Sequence, residues 1–161
     1  MNSLWAPWRI NYIRLEKKKK RGCIFCKTLK NGKDSYLVFK TKYSFALLNI
    51  FPYNNGHLMV SPVRHVRDIS LLSEAEALDL LRTLNKTRML LKKSLRPDGF
   101  NIGINLGESA GAGITGHMHI HIVPRWKGDT NFMPVIYKTK VVSESLRQLH
   151  KRLKICLRKN N

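Results

Sequence analysis

Residues 116–126 constrain the fold of this chain more than any other stretch, because three histidines alternate there with apolar residues. Successive side chains of a β-strand point to opposite faces, so His117, His119 and His121 are predicted to share one face. The other face then holds three apolar residues: Met118, Ile120 and Ile122. Three adjacent imidazoles suit metal binding or phosphate chemistry better than a packed core. The alternatives are a solvated histidine face on an edge strand, or an accidental run.

The length and composition are those of one globular domain. The 161 residues fit a single domain with a substantial core, so we predict one domain over 1–161. Within it, residues 1–21 form an apolar-aromatic arm and a basic run, too short to fold alone and expected to dock on the body or on a partner subunit. No apolar run approaches the ~20 residues of a membrane helix, and the start of the chain lacks a signal-peptide pattern. Three cysteines, two of them close together, argue against a disulfide framework. These features predict a cytoplasmic protein with no membrane partner.

The charge of the chain is strongly positive. Thirty Lys and Arg against ten Asp and Glu give a formal net charge of +20, which attracts polyanions such as polyphosphates or nucleic acid. The charge gathers in a run at 17–21 and in a second group near the end of the chain: Lys151, Arg152, Lys154, Arg158 and Lys159. No aromatic-interleaved basic stripe accompanies them. A solvated basic surface is therefore favoured, and nucleic-acid binding stays an alternative.

The order of apolar patterns predicts an α+β fold with an antiparallel sheet, one long helix and a carboxyl-terminal helix. Strand-like segments occupy residues 36–40, 43–49, 57–62, 100–105 and 117–124. Ser73 and Glu76 form a capping-box pattern that opens the long helix, and residues 97–99 end it. Its buried stripe is predicted to contain Leu80, Leu81, Leu84, Leu91 and Leu95. An amphipathic segment at 143–157 gives the last helix.

A glycine-rich loop, residues 107–116, leads directly into the histidine strand. Glycines let backbone N–H groups approach an anion closely and adopt positive φ. The loop is therefore predicted to cradle a phosphate next to the histidines. An ordinary flexible hairpin loop is the alternative.

The chain resembles the histidine-triad (HIT) superfamily of nucleotide hydrolases and transferases, and within it the diadenosine tetraphosphate phosphorylase-like branch. The resemblance rests on the histidine strand and on residues 4–9, 49–60, 99–107 and 124–126, which read LWAPWR, NIFPYNNGHLMV, GFNIGINLG and PRW. It implies a HIT-like fold, a homodimer and no organic cofactor. The aromatic arm at the start of the chain would suit a subunit contact.

The resemblance implies covalent nucleotidyl transfer. His119 would attack the α-phosphorus of a nucleoside polyphosphate, His121 would hydrogen-bond the transferred phosphoryl group, and His117 would orient the strand. Phosphate contacts are expected from the loop and its flanks: Asn105, Gly107, Ser109, Gly113 and Thr115. Asn49 takes the place of the acidic residue that usually holds the ribose hydroxyls. Four apolar residues would line the pocket for the nucleotide base, and each could equally belong to the ordinary hydrophobic core: Phe25, Leu48, Ile50 and Phe51.

One departure from the family pattern concerns the molecule that accepts the nucleotidyl group in the second step. Many family hydrolases carry a glutamine four residues before the first histidine, followed by a serine or threonine, whereas this chain has Gly113 and Ile114. With no side chain there to fix a water, inorganic phosphate is favoured as the acceptor, and Arg125 is a candidate to hold it. Diadenosine tetraphosphate would then give ADP and ATP.

Cys23 and Cys26 form a Cys-x-x-Cys pair whose meaning is ambiguous on its own. No thioredoxin-like βαβ pattern surrounds it, which leaves a buried structural pair or half of a structural zinc site. Several zinc-containing HIT proteins match this pair, a histidine eight residues after a Gly-His, and the first triad histidine. The resemblance thus implies Zn²⁺ bound by Cys23, Cys26, His65 and His117.

Two other functions stay open beside phosphorolysis. One is a HIT hydrolase acting on dinucleoside polyphosphates or nucleoside phosphoramidates. The other is a non-catalytic zinc-containing module that binds nucleic acid through its basic clusters.

Overall fold

The computed structural model describes residues 22–31, 36–129 and 144–159 of the chain. Five strands form one antiparallel sheet: β1 (Leu37–Lys40), β2 (Ser44–Leu48), β3 (Leu58–Pro62), β4 (Gly99–Ile104) and β5 (Ile120–Arg125). Their order across the sheet is β1-β2-β3-β5-β4. Among the described residues, three α-helices accompany it, α1 (Ile24–Asn31), α2 (Glu74–Leu95) and α3 (Leu146–Arg158), with a 3₁₀ turn at Ile69–Leu71. The predicted α+β class is confirmed, and the arm at 1–21 lies outside the described residues.

The strand and helix bounds differ from the sequence predictions in two informative places. The last strand begins at Ile120, so His117 and His119 precede it. Their rings still lie on the opposite face from Met118 and Ile120, as in an extended chain. The Cys-x-x-Cys segment lies at the start of α1, a helix that the sequence analysis did not predict. At eight residues this helix is too short for a clear apolar repeat, and packing against the sheet holds it in place.

Two apolar clusters lie on opposite faces of the sheet. The larger one lies under α2 and α3 and contains the even-numbered apolar residues of β5, Ile120 and Ile122, together with Met118. The smaller one lies on the other face and joins Phe25 of α1 to Phe45, Leu47 and Met59. Met59 is the cross-strand partner of His121, so the histidines face the α1 side.

Helix α2 begins as the sequence predicts. The Ser73 hydroxyl accepts a hydrogen bond from the backbone N–H of Glu76, and the Glu76 carboxylate accepts one from the N–H of Ser73, which completes the capping box. Leu80 and Leu91 are buried, but Leu81 is 61% exposed and does not belong to the stripe. Leu81 lies about 100° around the helix from Leu80, which carries it off the packed face.

Gly56 makes possible the tight turn that delivers His57 to the histidine face. Its φ is +78°, and a Cβ at this position would come within 2.5 Å of a Leu95 methyl and 2.9 Å of the Pro124 ring. Glycine is therefore required both for the backbone angle and for the close approach of α2. Within the described ranges, no helix is long and apolar enough to cross a membrane.

Candidate active site

The three predicted histidines lie together on the α1 side of the sheet. His117 and His119 are 0% and 5% exposed, and the ring centroids of His119 and His121 are 4.8 Å apart. A fully apolar environment would be costly for charged imidazoles, so the hydrogen-bond partner of each ring decides what it can do.

His119 is held with one ring nitrogen available for reaction. Its Nδ1–H donates to the backbone carbonyl of His117 at 3.0 Å. In a neutral ring the other nitrogen, Nε2, then carries the lone pair. Burial lowers the pKa of His119, so the ring is neutral near pH 7. A neutral imidazole with a directed Nε2 lone pair is a competent nucleophile toward phosphorus.

A relay of hydrogen bonds leaves His121 with a donor at Nε2, where His119 has a lone pair. The backbone N–H of Tyr53 donates to His57 Nδ1 at 3.0 Å, so the hydrogen of the neutral His57 ring lies on Nε2. His57 Nε2 lies 2.9 Å from His121 Nδ1, so the His57 N–H donates a hydrogen bond and His121 Nδ1 accepts it. His121 therefore carries its hydrogen on Nε2 and offers a donor. Burial, and then the proximity of His119, lower the pKa of His121 to about 4.

The sequence analysis did not assign His57 to the site. Gly56-His57 entered it only as a spacing mark, whereas the side chain is 1% exposed and contacts the ring of His121 at a centroid distance of 5.1 Å. A histidine directly after a glycine turn and before an apolar strand is the signal that could have found it.

Asn49 lies beside this relay at the end of β2. Its Oδ1 accepts the backbone N–H of Phe51 at 2.9 Å, and its Nδ2 lies 3.3 Å from His57 Nδ1. The buried amide thus supports the turn and the His57 tautomer. The expected contact with ribose hydroxyls stays a prediction.

The four predicted wall residues occupy different environments. Phe25 is fully buried, and its ring lies 4.9 Å from the His119 ring and 5.1 Å from the His117 ring. Ile50 and Phe51 are about half exposed at the rim of the turn. Leu48 packs in the cluster under α2 and α3, on the face opposite His119. Side-chain alternation places Leu47 on the histidine face instead, so Leu48 does not fit the wall predicted for it.

The glycine loop has a defined shape at its start. Gly107 and Gly111 both have positive φ, and the Asn105 amide donates to the carbonyl of Gly111 at 3.4 Å. Ser109 and Thr115 are exposed, and Gly113 is half-buried between them. The loop therefore presents small residues to solvent just before the histidines, and its phosphate contacts stay a prediction.

Arg125, which the sequence analysis expects to hold phosphate, pairs with a carboxylate. Its Nε and Nη2 donate to the two carboxylate oxygens of Asp129 at 2.6 and 2.7 Å, and its Nη1 donates to Asn101 Oδ1 at 2.8 Å. The Asp129 carboxylate holds the pKa of the Arg125 guanidinium above its usual value. This positive charge is therefore paired with a carboxylate, and the expected contact of Arg125 with phosphate stays a prediction.

The four predicted metal ligands converge. One ligand atom from each of Cys23, Cys26, His65 and His117 lies within 4.8 Å of all the others. Cys23 Sγ is 3.3 Å from His117 Nδ1, and Cys26 Sγ is 3.4 Å from His65 Nδ1. Burial, followed by the neighbouring Cys23, raises the pKa of the Cys26 thiol.

The donor set fits a tetrahedral metal site. His117 donates its Nε2–H to the Pro62 carbonyl at 2.8 Å, which fixes the tautomer and directs the Nδ1 lone pair toward the thiols. An imidazole oriented by a backbone carbonyl is the usual arrangement of a metal-binding histidine. Two thiols and two imidazoles are a common ligand set for structural Zn²⁺.

The chain is similar to known proteins in sequence and in fold. A HIT domain family model matches residues 30–128 of the chain. A protein named AP-4-A phosphorylase from Mycobacterium tuberculosis is 35% identical over 161 residues, covering 95% of this chain and 83% of that protein. An asymmetrical bis(5'-nucleosyl)-tetraphosphatase from Schizosaccharomyces pombe is 34% identical over 103 residues, covering 64% of this chain and 56% of that protein. The crystal structure of a hypothetical histidine triad nucleotide-binding protein from Sulfolobus tokodaii aligns with a TM-score of 0.70 at 25% identity, over 85% of this chain and 93% of that chain. The chain belongs to the HIT domain family.

Proposed function

We propose that this protein transfers nucleotidyl groups through a covalent intermediate on His119 and cleaves dinucleoside polyphosphates such as diadenosine tetraphosphate by phosphorolysis. The observation that carries the proposal is the hydrogen-bond geometry of two rings: His119 Nδ1 lies 3.0 Å from the His117 carbonyl oxygen, and His121 Nδ1 lies 2.9 Å from His57 Nε2. From these contacts we infer a lone pair on His119 Nε2 and a hydrogen on His121 Nε2. The relative named AP-4-A phosphorylase, 35% identical over 95% of this chain, supports the substrate class.

The first step forms a phosphorus–nitrogen bond. His119 Nε2 attacks the α-phosphorus of diadenosine tetraphosphate, and the bond from that phosphorus to the bridging oxygen breaks, releasing ATP. His121 Nε2–H donates to the transferred phosphoryl group and stabilises the charge that develops on its oxygens. Burial of both rings keeps them neutral, which preserves the lone pair on one and a single proton on the other.

The second step returns His119 to its starting state. An oxygen of inorganic phosphate attacks the phosphorus of the adenylyl-histidine, the phosphorus–nitrogen bond breaks, and ADP leaves. Gly113 and Ile114 support phosphate as the acceptor because neither side chain can fix a water. The S. pombe relative named as a tetraphosphatase favours the alternative, a hydrolase that would give AMP and ATP.

Incubation with diadenosine tetraphosphate over a range of phosphate concentrations tests the proposal. Phosphorolysis predicts ADP plus ATP at a rate that rises and saturates with phosphate. AMP plus ATP, formed at a rate independent of phosphate, would assign the hydrolase. Absence of any turnover, together with salt-dependent nucleic-acid binding that His119→Ala leaves unchanged, would assign the non-catalytic module.

We further propose that Cys23, Cys26, His65 and His117 hold a structural Zn²⁺. Bound there, the metal would fasten α1 to the segment that carries the triad, since Cys23 and Cys26 lie at the start of that helix. Phe25 lies between the two cysteines and against His119, so the same fastening would fix one wall of the nucleotide site. The three cysteines are free thiols, in keeping with a cytoplasmic location.

A homodimer is proposed on the evidence of the sheet edge. Among the described residues, β4 pairs only with β5, and its central residues Asn101, Ile102 and Gly103 are exposed. An exposed antiparallel edge can pair with its own copy around a two-fold axis. Sedimentation of the wild type and of Ile102→Lys tests this, with dissociation expected only in the variant.

A further inference from the structure

Asp129 gathers four hydrogen-bond donors from two separate segments of the chain. Arg125 provides two, at 2.6 and 2.7 Å, Asn54 Nδ2 provides one at 2.9 Å, and the backbone N–H of Trp126 provides the fourth at 3.2 Å. We call Asn54, Arg125 and Asp129 the carboxylate clamp. Only 10% of the Asp129 side chain is exposed, against 44% of the Arg125 side chain, so the carboxylate is the end of the pair that is largely shielded from solvent.

The clamp joins the two segments that carry the His57–His121 relay. Arg125 ends β5, the strand of His121, and Asn54 follows Tyr53 directly in the turn before His57. Asn54 also donates to the Pro124 carbonyl at 3.2 Å, a second link from the turn to the same strand. The Tyr53 ring lies 4.5 Å from the His57 ring and 5.6 Å from the His121 ring.

We infer that the carboxylate clamp is a positioning device for His121, and that Arg125 acts through Asp129 and Asn54 instead of binding phosphate. The inference rests on the proposed function for its kinetic consequences only. By holding the turn against the end of β5, the clamp keeps the Tyr53 N–H on His57 Nδ1. That contact selects the His57 tautomer, which in turn leaves the hydrogen of His121 on Nε2.

Direct phosphate binding by Arg125 conflicts with the local charges. All three nitrogens of its guanidinium already donate to Asp129 or Asn101. An incoming phosphate would have to bind a guanidinium that is already paired with the largely buried Asp129 carboxylate, a group of the same sign, at a cost in electrostatic repulsion. A positioning role uses the bonds as they stand.

Two variants on opposite sides of the ion pair separate these roles. Under the positioning role, Arg125→Met and Asp129→Ala should both lower kcat by about tenfold or more, because small displacements of catalytic groups are costly. The half-saturating phosphate concentration should stay within about twofold, because neither residue touches phosphate. If Arg125 binds phosphate instead, Arg125→Met should raise that concentration, while Asp129→Ala should leave it unchanged or lower it. That opposite behaviour would overturn the inference.

Arg64→Met is the matched control. Arg64 makes the same two-bonded contact with a carboxylate, to Glu76 at 2.7 and 2.7 Å, and the exposures of the two side chains are 52% and 10% against 44% and 10% in the clamp. Loss of this pair should lower thermal stability and leave kcat within about twofold. An equal loss of kcat in Arg64→Met would show that the slower turnover is a general effect of losing an ion pair, which would also overturn the inference.

Nitrogen-15 NMR of the histidine rings gives a readout that needs no substrate. Wild type and Arg64→Met should show His57 and His121 as Nε2–H tautomers, and the clamp variants should show a tautomer mixture at His121. If Asp129→Ala does not fold, Asn54→Ala removes the turn's side chain alone and should give the same mixture. A wild type without diadenosine tetraphosphate turnover would refute the proposed function, whereas unchanged His121 tautomers in folded clamp variants would refute the clamp.

Discussion

Replacing His57 with Phe tests the hydrogen-bond relay that gives His121 its donor. The ring is buried, so Phe keeps most of the volume and the contact with Tyr53, and a cavity contributes little. Two partners are lost, however: the Tyr53 N–H has no acceptor on the ring, and His121 Nδ1 has no donor. An unsatisfied buried polar group costs about 1–3 kcal/mol, so for these two groups we expect a loss of about 2–6 kcal/mol in the free energy of unfolding.

The same variant should slow chemistry without weakening binding. With no donor at Nδ1, His121 samples both tautomers and more than one ring orientation, and we expect kcat to fall about 10- to 100-fold with KM nearly unchanged. Single-turnover formation of the adenylyl-enzyme and urea unfolding measure the two effects. His57→Gln, whose amide can accept from Tyr53 and donate to His121, should recover most of the rate.

His150→Phe is the control for the loss of a histidine that makes a structural hydrogen bond. His150 Nε2–H donates to the Leu37 carbonyl at 2.9 Å and the ring contacts Tyr36, away from the triad. We expect lower stability and an unchanged kcat. Turnover of His57→Phe within twofold of the wild type, or an equal rate loss in His150→Phe, would refute the relay.

Three further outcomes follow from the site. His119→Ala should lose several orders of magnitude in turnover while nucleotide affinity changes by less than about tenfold, and near-normal turnover would exclude it as the nucleophile. The purified chain should carry about one zinc per subunit, and Cys23→Ser should lower both the metal content and the melting temperature. Metal-free protein of full stability would show that the two cysteines are a structural pair that binds no metal. Since the folded pKa of His121 is about 4 against 6.5 for a free imidazole, the unfolded state binds more protons between these values, so His121 should make the free energy of unfolding decrease as pH falls from 6.5 to 4. A His121→Phe variant should show a shallower decrease over that range, measured by denaturant unfolding.

Much of this arrangement could be predicted from local sequence patterns. The capping box at Ser73 and Glu76 and the His–apolar alternation depend only on neighbours in the chain, and both are confirmed. The position of Leu48 in the larger cluster could not be predicted, because β2 is buried on both faces and its sequence does not say which alternate residues meet which core. The pairing of Arg125 with Asp129 could not be predicted either, because Asp129 follows four residues later in a turn that no periodicity predicts.

The three histidines of the triad are equivalent in the sequence pattern and become different through their hydrogen-bond partners. His117 uses Nε2 on the Pro62 carbonyl and directs Nδ1 to the thiols, so neither nitrogen is left for substrate. His119 gives Nδ1–H to a carbonyl and keeps a lone pair, and His121 receives a donor at Nδ1 and keeps a hydrogen. Because a neutral imidazole has one donor and one acceptor, each partner determines what the other nitrogen offers. The roles proposed for the three rings, nucleophile, hydrogen-bond donor to the phosphoryl group and metal ligand, therefore differ because their partners are a carbonyl, a neighbouring histidine and a pair of cysteines.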